Sequence, residues 1–540
     1  MTIYFCKPKQ KMEIAMSFEE IYNSKLFGAI RGFDRIRFRG TILSISESAG
    51  LGQMLCGLGV LLVQFKEFFL GITARILAGA KKYCEEKNVE YIWAMEKADK
   101  DAMAKRALGE KPAGYTGPLF CLGTLEGCVT ANIVRNKSKK RLELAMKPGK
   151  CTHLYLYFNH REYGLGHVRL QTWAPFGVHV CLNGRSWLEN QLKASGLRYE
   201  KAENCFRWLE DAGRAQALFD AQLASDWKSL LDGLVAEFMP WLEPSLGGIV
   251  PKYYWSADET EFATDYMFRN GGELDRMFPM FVRFAMMTSD CPAVMRFFGK
   301  KPGWQGGGNP PKDLRGDSRR RHEGVRVKHC ANGNSVKAYN KQGTVLRVET
   351  TINNTRFFDV YRHPNDDPSR PMGWLPMRKG VADLCRRAEV SDRINRRYAD
   401  HIAAADTGER FGEVVGKVCR KASLQGRNGK SVNVRALRPG DPLDRRLLEF
   451  LKKGDWDLNG FANRDLDMFL NNGRAAKDAV DKKHRSAKAS RLIRLLRAHG
   501  LVKKVKNKNR YMVTEYGHKL GTAIALAENV SIKKLGEKAA

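Results

Sequence analysis

Closely spaced cysteines are missing from this sequence. Its 12 cysteines are scattered along 540 residues, and no two of them form a C-x-x-C pair. Zinc ribbons and the disulfide frameworks of small secreted proteins depend on such regular spacing. We therefore expect neither, and the cysteine pattern favours the reducing environment of a cytoplasm.

Long apolar segments are missing too. The most apolar run, residues 51–65, is interrupted by Gln53 and Gln64. It is shorter than the roughly 20 residues that a membrane-spanning helix needs, and it lies too far along the chain for a signal peptide. We expect a buried core helix at this position and no membrane partner.

Acidic residues are scarce relative to basic ones. The chain has 59 aspartates and glutamates against 92 lysines and arginines, which gives a formal net charge of +33. Such an excess repels itself unless a polyanion neutralises it, and nucleic acid is the first candidate. The hydrophobic fraction of 43% and the aromatic fraction of 10% are those of a globular protein.

A basic helix followed by a basic hairpin is predicted near the C-terminus. Apolar residues recur at helical spacing up to Gly500, where a helix would end, and two short strands at 501–505 and 511–514 flank a basic turn. Helices predicted at 444–452 and 463–470 precede them. This order predicts a winged helix-turn-helix, with the last helix in a major groove and the hairpin on flanking phosphates. The candidate DNA-binding residues are Arg485, Lys488, Arg491, Arg494, Lys503, Lys504, Lys506, Lys508 and Arg510.

This stretch resembles bacterial winged-helix regulators of the MarR kind. The resemblance lies in the leucine-rich helix, the H-G-L-V motif at 499–502, the basic turn and the R-Y-M-V-T-x-x-G motif at 510–517. It covers about the last hundred residues and implies binding to duplex DNA. The alternative is a solvated basic helix packed on a small hairpin.

The N-terminal region alternates strands and helices. Strands are predicted at 33–43, 89–93 and 118–126, with helices at 50–87 and 99–108, and this alternation indicates a mainly parallel sheet. Asp34 and Glu126 lie on the first and third strands, where carboxylates of nucleases hold Mg²⁺. Alternatively, Asp34 pairs with a neighbouring arginine and Glu126 is a turn residue.

The middle of the chain begins with predicted strands and continues with helices. The strands are 153–158, 167–173 and 177–182; the helices are 205–212, 216–238, 257–270 and 272–287. Candidate contacts to single-stranded nucleic acid on this sheet are Tyr155, Tyr157, Arg169 and Trp173, with core packing as the alternative. A flexible, phosphate-seeking loop is expected at 302–321; its three glycines lack the lysine of a P-loop, so no nucleotide site is assigned.

A β-meander is predicted at 323–352, with basic side chains on one side of its strands. Tyr339 lies beside lysines, and Glu349 could hold Mg²⁺, so the tyrosine could attack a phosphodiester. The Y-x-K and R-x-E strands resemble those of plasmid and phage rolling-circle replication initiators. The histidine-hydrophobic-histidine pair of the common initiator class is absent from the sequence. The alternative is a basic sheet in which Glu349 pairs with Arg347.

Several motifs spread over nearly the whole chain resemble a family of bacterial proteins. They include F-D-R at 33–35, Q-T-W-A-P-F at 171–176, Y-Y-W-S at 253–256 and L-R-V-E-T-T-I-N at 346–353. The resemblance implies no function beyond the nucleic-acid binding of the winged helix. An association with mobile elements is a further expectation.

Four domains follow from these patterns. We expect an α/β domain at 1–150, a mixed α+β basic core at 151–362, a helical linker region at 363–442 and the winged helix at 443–540. The fold class is therefore a multidomain mixture of α+β and α/β.

The leading functional prediction is a nucleic-acid-binding protein, with duplex DNA at the winged helix and DNA or RNA on the basic core. The core candidates are Arg319, Arg320, Arg321, Arg326, Lys328, Lys337 and Lys341. One alternative is a Mg²⁺-dependent nuclease or a replication- or transposition-type strand transferase that uses Asp34, Glu126, Glu349 and Tyr339. Another is a structural protein of an RNA-containing particle. No cofactor is expected unless the protein is an enzyme that requires Mg²⁺.

Overall fold

A computed structural model describes residues 17–94, 99–300, 313–321, 324–405, 411–425, 431–451, 460–505, 509–514, 516–517, 520–521 and 524. The helices are α1 (Phe18–Tyr22), α2 (Ser48–Gly57), α3 (Phe65–Glu86), α4 (Lys100–Gly109), α5 (Gly184–Ala194), α6 (Ala212–Ala221), α7 (Trp227–Phe238), α8 (Leu242–Ser245), α9 (Gly271–Thr288), α10 (Cys291–Phe297), α11 (Leu384–Ala403), α12 (Phe411–Val418), α13 (Pro442–Leu451), α14 (Asn463–Leu470) and α15 (Ala479–Ala498).

The strands alternate with these helices along most of the chain. They are β1 (Leu26–Ile42), β2 (Glu90–Trp93), β3 (Gly117–Asn136), β4 (Arg141–His160), β5 (Gly164–Gln171), β6 (Val178–Asn183), β7 (Tyr199–Ala202), β8 (Cys205–Leu209), β9 (Tyr253–Phe268), β10 (Arg315–Arg321), β11 (Gly324–Ala331), β12 (Asn334–Lys341), β13 (Val345–Ile352), β14 (Asp359–Arg362), β15 (Gly373–Pro376), β16 (Ala422–Gln425), β17 (Ser431–Val434), β18 (Val502–Lys504) and β19 (Tyr511–Val513).

One sheet of eleven strands dominates the fold, in the order β10-β11-β12-β13-β9-β1-β6-β5-β4-β3-β2. Among the described strands of this sheet only β2 and β3 pair in parallel, so the prediction of a mainly parallel sheet is wrong. The reason is that β1 pairs with β6 and β9 from later in the chain, and β3 with β4 as a long hairpin. The mixture of helices and strands is as predicted. Strands from 1–150 and 151–362 share this sheet, so residue 150 does not separate two sheets.

Two segments predicted as helices are strands. Residues 257–270 fall mostly within β9, where Thr260, Phe262 and Thr264 alternate with Glu259 and Glu261. A β-branched or aromatic residue at every second position suits a strand between two others, and this outweighs the helix preference of the acidic residues. Residues 205–212 begin as β8, which forms a hairpin with β7.

The β-meander is confirmed as β11, β12 and β13, and it continues into β9. Part of the predicted loop at 302–321 is the strand β10, which pairs with β11 at the edge of the sheet. Residues 301–312, which include the three glycines, lie outside the described part of the chain. The region 363–442, which was expected to be a helical linker, contains the long helix α11.

The two sides of the sheet differ in character. One side is apolar and is covered by helices: Phe38 packs on Trp227 of α7, and Asn395 of α11 bonds Thr264 and Thr350 across two strands. We call the other side the polar face. Cross-strand register places on it Arg326 and Lys328; Lys337, Tyr339 and Lys341; Arg347 and Glu349; Glu259, Glu261 and Asp265; Arg35, Arg37 and Arg39; His179 and Cys181; His167 and Arg169; and His153, Tyr155 and Tyr157.

The C-terminal segments share a hydrophobic core of their own, which includes Val414, Leu447, Leu466, Leu496 and Val513. Helix α14 begins and ends where the sequence predicted it, and β18 and β19 form the predicted hairpin. Phe461 forms an additional antiparallel bridge with Tyr511 of β19. The order along the chain is therefore helix, bridge, helix, helix and hairpin. We call residues 442–514 the C-terminal unit.

Candidate nucleic-acid interface

Three arginines on the central strand β1 point outward from the polar face. Arg35, Arg37 and Arg39 alternate with the buried residues Ile36 and Phe38. The side chains of Arg35 and Arg37 are 49% and 44% exposed although their strand has neighbours on both sides. The described residues therefore leave the centre of the polar face open to solvent.

Each of the first two arginines faces a glutamate of β9. Arg35 lies 3.2 Å from Glu261, and Arg37 lies 3.7 Å from Glu259. The arginine of each pair is exposed, whereas the side chains of Glu261 and Glu259 are only 16% and 22% exposed. A phosphate group can reach the arginines from solvent, but the glutamates, which are largely buried, would then lose their partners at a cost.

The meander adds a second group of cations to the same face. Arg319 lies opposite Arg326, and Lys328 lies opposite Lys337, across neighbouring strands. The sequence-predicted core residues Arg319, Arg326, Lys328, Lys337 and Lys341 thus share one side of the sheet. Arg320 points to the other side of the edge strand β10, and Arg321 is the last residue of that strand.

A fully buried charge network lies beneath these exposed groups. Arg347 is 0% exposed; it donates to both carboxylate oxygens of Asp265 at 2.6 and 2.8 Å and to Asp34 at 3.1 Å. It also donates to the backbone oxygen of Asn204 at 2.6 Å, which ties the β7–β8 hairpin to the sheet. Arg185, at the start of α5, lies 3.4 Å from Asp265. Two buried cations therefore balance two buried carboxylates.

This network explains the position of Asp34. The residue is a bulge between Phe33 and Arg35, and one carboxylate oxygen accepts from the amide of Asn204 while the other accepts from Arg347. Asp34 is therefore paired with an arginine, as in the alternative given above, and that arginine is Arg347 of β13. Burial alone would raise the pKa of Asp265, but the cations of Arg185 and Arg347 outweigh it and lower that pKa. Asp265 and Arg185 were not among the residues predicted from the sequence, because their partners are distant in the chain.

A second group joins Tyr339, Glu349 and Lys337. Glu349 is 1% exposed; its carboxylate accepts from the Tyr339 hydroxyl at 2.8 Å and lies 2.6 Å from Lys337 Nζ. Glu349 therefore pairs with Lys337 and not, as one alternative had it, with Arg347. Arg347 pairs instead with Asp34 and Asp265. Burial and the charge of Glu349 raise the pKa of Tyr339 well above its usual range. The phenol is thus held in its protonated form.

Glu261 borders this second group. Its carboxylate lies 3.9 Å from Lys337 and 3.2 Å from Arg35. Burial and the nearby charge of Glu349 raise the pKa of Glu261 to about 7. A carboxyl group that titrates near neutrality changes the charge of the polar face under ordinary conditions.

A cleft of about 630 Å³ opens at the end of the meander strands. Tyr339 and Lys341 line it together with Phe278 of α9 and Glu203 of the β7–β8 turn. One side of the largely buried Tyr339 therefore borders the open cleft.

Glu126 lies in a separate cluster. It accepts from Lys100, Tyr155 and Arg169, each at 2.8 Å. Burial alone would raise the pKa of Glu126, but hydrogen bonds from Lys100 and Tyr155 and the charge of Arg169 lower it to about 2. Strand β3 is four strands away from β1 in the sheet, roughly 19 Å at the usual strand spacing. The structure does not bring Glu126 to Asp34, so the two do not share a metal ion.

The aromatic candidates for single-strand binding are packed. Tyr155 and Tyr157 are buried, and Tyr157 stacks on Phe120 with 4.8 Å between ring centroids. Trp173 packs on Phe69 of α3. These three therefore belong to the core, and of the four candidates only Arg169 contributes a charged group to the polar face.

Within the described residues, the predicted carboxylates do not converge as metal ligands. The single group there with three ligand atoms within 4.8 Å of one another is Cys128, Cys151 and His153, on the β3–β4 hairpin. Sequence analysis missed this group, because the hairpin register that brings the two cysteines together is not visible in their spacing.

Helix α15 of the C-terminal unit has one buried and one basic side. Leu492, Ile493 and Leu496 are buried, whereas the outward residues are exposed cations without an ion pair to any described carboxylate. These exposed cations are Lys488, Arg491 and Arg494. Asn463 of α14 donates to Ser490 of α15 at 2.6 Å and fixes the two helices together.

The remaining DNA-binding candidates fall into three groups. Lys503, Lys504 and Arg510 are exposed on or beside the β18–β19 hairpin. Arg485 is partly buried; it lies 3.0 Å from Asp481 and donates to the backbone oxygen of Arg474 at 2.9 Å. Lys506 and Lys508 lie outside the described residues.

Comparison with known proteins gives no relative: no family model, no curated protein and no solved structure matches this chain. In the part of the chain described, no single helix is long and apolar enough to cross a membrane. Residues Ser48–Gly57 and Leu62–Glu86 meet the criteria of length and composition only as a pair, bent by 102°.

Proposed function

We propose that this chain is a nucleic-acid-binding protein with two contact surfaces. The C-terminal unit would bind duplex DNA as a winged helix, and the polar face of the large sheet would bind the phosphate backbone nearby. The observation that carries the proposal is the row of exposed cations on α15, which form no ion pair with a described carboxylate.

The element order of the C-terminal unit supports the first surface. Helix α13, the bridge at Phe461, helices α14 and α15 and the β18–β19 hairpin follow one another as in a winged helix-turn-helix. Helix α15 would enter the major groove, and Lys503 and Lys504 of the hairpin would contact phosphates. Lys488, Arg491 and Arg494 have no ion pair with a described carboxylate, so binding DNA would break no ion pair within the described residues.

The polar face supports the second surface. Arg35, Arg37 and Arg39 form an exposed row at its centre, and the cations of the meander lie on the same face beyond β9. Glu259 and Glu261 offset part of this charge. We therefore expect the polar face to contribute less affinity than the C-terminal unit.

Binding of labelled duplex DNA by fluorescence anisotropy tests the proposal. The variant Lys488→Ala/Arg491→Ala/Arg494→Ala should bind more weakly, by about 1–3 kcal/mol for each residue that contacts a base. The control Lys81→Ala/Lys82→Ala/Lys87→Ala removes three exposed lysines of the α3 region and changes the net charge equally. An equal loss in both variants, or no binding by the wild type, would refute the winged-helix assignment.

An enzyme remains a second candidate because Tyr339 borders the cleft and donates a hydrogen bond to Glu349. In such an enzyme the Tyr339 oxygen would attack phosphorus as Glu349 takes its proton; the P–O bond to the sugar would break, and the displaced sugar oxygen would take a proton from water. The raised pKa of Tyr339 and the Lys337 ion pair of Glu349 weaken both groups for these roles. Binding is therefore the better-supported function.

Incubation of supercoiled DNA with the protein and Mg²⁺ distinguishes the two candidates. A strand transferase would nick it, would keep a covalent protein–DNA link, and would lose both properties in Tyr339→Phe. Cutting that survives Tyr339→Phe but not Asp34→Ala or Glu349→Ala would indicate a metal-dependent nuclease instead. DNA that is bound and left intact fits the binding function alone.

A further inference from the structure

Two cysteines and a histidine meet on the β3–β4 hairpin, apart from the residues used above. Cys128 lies opposite Gly149, and Cys151 lies opposite Glu126, so the two thiols are diagonal neighbours on the same side of the hairpin. Their sulfur atoms are 3.4 Å apart. His153 follows Cys151 by two residues and therefore projects to the same side.

One ring nitrogen of His153 is available to bind a ligand. Its Nδ1 lies 3.2 Å from the backbone oxygen of Cys151, whereas Nε2 is buried without a hydrogen-bond partner among the described residues. The residue is 1% exposed. A neutral ring that gives one nitrogen to a backbone carbonyl keeps a lone pair on the other, which is the usual state of a metal-ligating histidine.

The donor set and its spacing indicate the metal. Two thiolates and one imidazole are ligands that Zn²⁺ prefers, and two thiolates balance its charge. At Zn–S distances of about 2.3 Å, tetrahedral sulfur ligands are about 3.8 Å apart, so the sulfurs would need to separate by only about 0.4 Å. A disulfide would instead require them to approach to about 2.05 Å.

A charged pair lies beside these ligands. Glu126, which lies opposite Cys151, is bound to Arg169 at 2.8 Å. Cys151 is buried, whereas Cys128 is partly exposed, so water can reach the metal position from that side.

We propose that Cys128, Cys151 and His153 bind one Zn²⁺ ion, with a water molecule as the fourth ligand. The ion would join β3 to β4 at the place where the hairpin leaves the body of the sheet. Neither nucleic-acid surface depends on it.

Zinc uptake by the full chain tests the proposal. Reduced protein, freed of metal with a chelator, is supplied with Zn²⁺, passed through a desalting column and analysed for metal. We expect one equivalent in the wild type and in the control Cys56→Ser, and none in Cys128→Ser, Cys151→Ser or His153→Gln. No uptake by the folded wild type, or an unchanged equivalent in the three site variants, would overturn the proposal.

A second measurement does not depend on the folding of any variant. Zn²⁺ should slow the alkylation of Cys128 in the wild type at least tenfold, read by mass spectrometry, and should leave the exposed Cys56 unaffected. Co²⁺ in place of Zn²⁺ should give the sulfur-to-metal charge-transfer absorption of a thiolate site. Equal alkylation of Cys128 with and without Zn²⁺ would show that these thiols hold no metal.

Discussion

Two buried basic residues of the meander and the exposed ones of helix α15 are used in opposite ways. In the meander, Arg347 and Lys337 are drawn into the protein and neutralised by Asp265, Asp34 and Glu349. On α15, the cations Lys488, Arg491 and Arg494 remain at the surface without an ion pair to any described carboxylate. The difference teaches that a basic composition alone does not locate a polyanion site. Burial and pairing separate the cations that hold the fold from those free to bind phosphate.

Removal of Arg347 should give the largest effect on stability. The change Arg347→Met leaves the carboxylates of Asp34 and Asp265 buried with too little positive charge, and such losses cost about 3–5 kcal/mol. Urea unfolding followed by circular dichroism would measure it. The control Arg37→Met, at an exposed position of the same sheet, should change stability by less than about 0.5 kcal/mol. Similar urea-unfolding midpoints for Arg347→Met and Arg37→Met would contradict the difference drawn between buried and exposed cations.

On α15 we expect a small change in stability and a large change in DNA affinity. The change Arg491→Ala should leave the unfolding midpoint within about 0.5 kcal/mol of the wild type, since the side chain is exposed. Its affinity for duplex DNA should nevertheless fall by about 1–3 kcal/mol if the residue contacts a base. Paired unfolding and anisotropy measurements would check this. A loss of stability without a loss of affinity would reverse the roles given to the two regions.

Acid should weaken the Glu126 cluster. The pKa of this carboxyl is lowered from 4.5 to about 2 in the folded chain, so its contribution to stability is complete above pH 4.5 and is lost as the pH falls towards 2. Because the side chain is partly exposed, we expect a loss on the order of 1–2 kcal/mol. Unfolding curves at several pH values should show a shallower acid slope for Glu126→Gln than for the wild type. Identical slopes would mean that Glu126 is not ionised in this cluster.

The smallest expected effect concerns Glu261. Its pKa is raised from 4.5 to about 7, so the group favours the folded state most below pH 4.5, and this contribution is lost as the pH rises through 7. Protonation near pH 7 also releases Arg35 from its 3.2 Å ion pair. Binding of single-stranded DNA to the polar face should therefore strengthen by a few fold from pH 8 to pH 6. Glu261→Gln should bind tightly at both values; a wild-type-like pH dependence in this variant would assign the effect to another group.

Local patterns in the sequence were enough for some elements. Helix α14 at 463–470 and the three meander strands follow from residue spacing and turn residues within short windows. The same reasoning failed for β9, because acidic residues in a strand between two others resemble a helix surface. Strand pairing between distant segments, such as β1 with β9, is set by packing that local patterns do not contain.

For the candidate site, too, some features could be predicted from the sequence and others could not. The register of the meander placed Arg326, Lys328 and Lys337 on one side, as alternation requires. The separation of Glu126 from Asp34, and the meeting of Cys128 with Cys151, depend on strand order and hairpin register. Neither is encoded in spacing along the chain.

The salt dependence of binding to duplex DNA tests the central claim most directly. A plot of the logarithm of the association constant against the logarithm of salt concentration should be steep for the wild type and for the Lys81/Lys82/Lys87 variant. Loss of Lys488, Arg491 and Arg494 should reduce the slope by about one for each residue that contacts a phosphate. Equal slopes for all three proteins would contradict the account, because the exposed cations of α15 would then not be the ones that bind DNA.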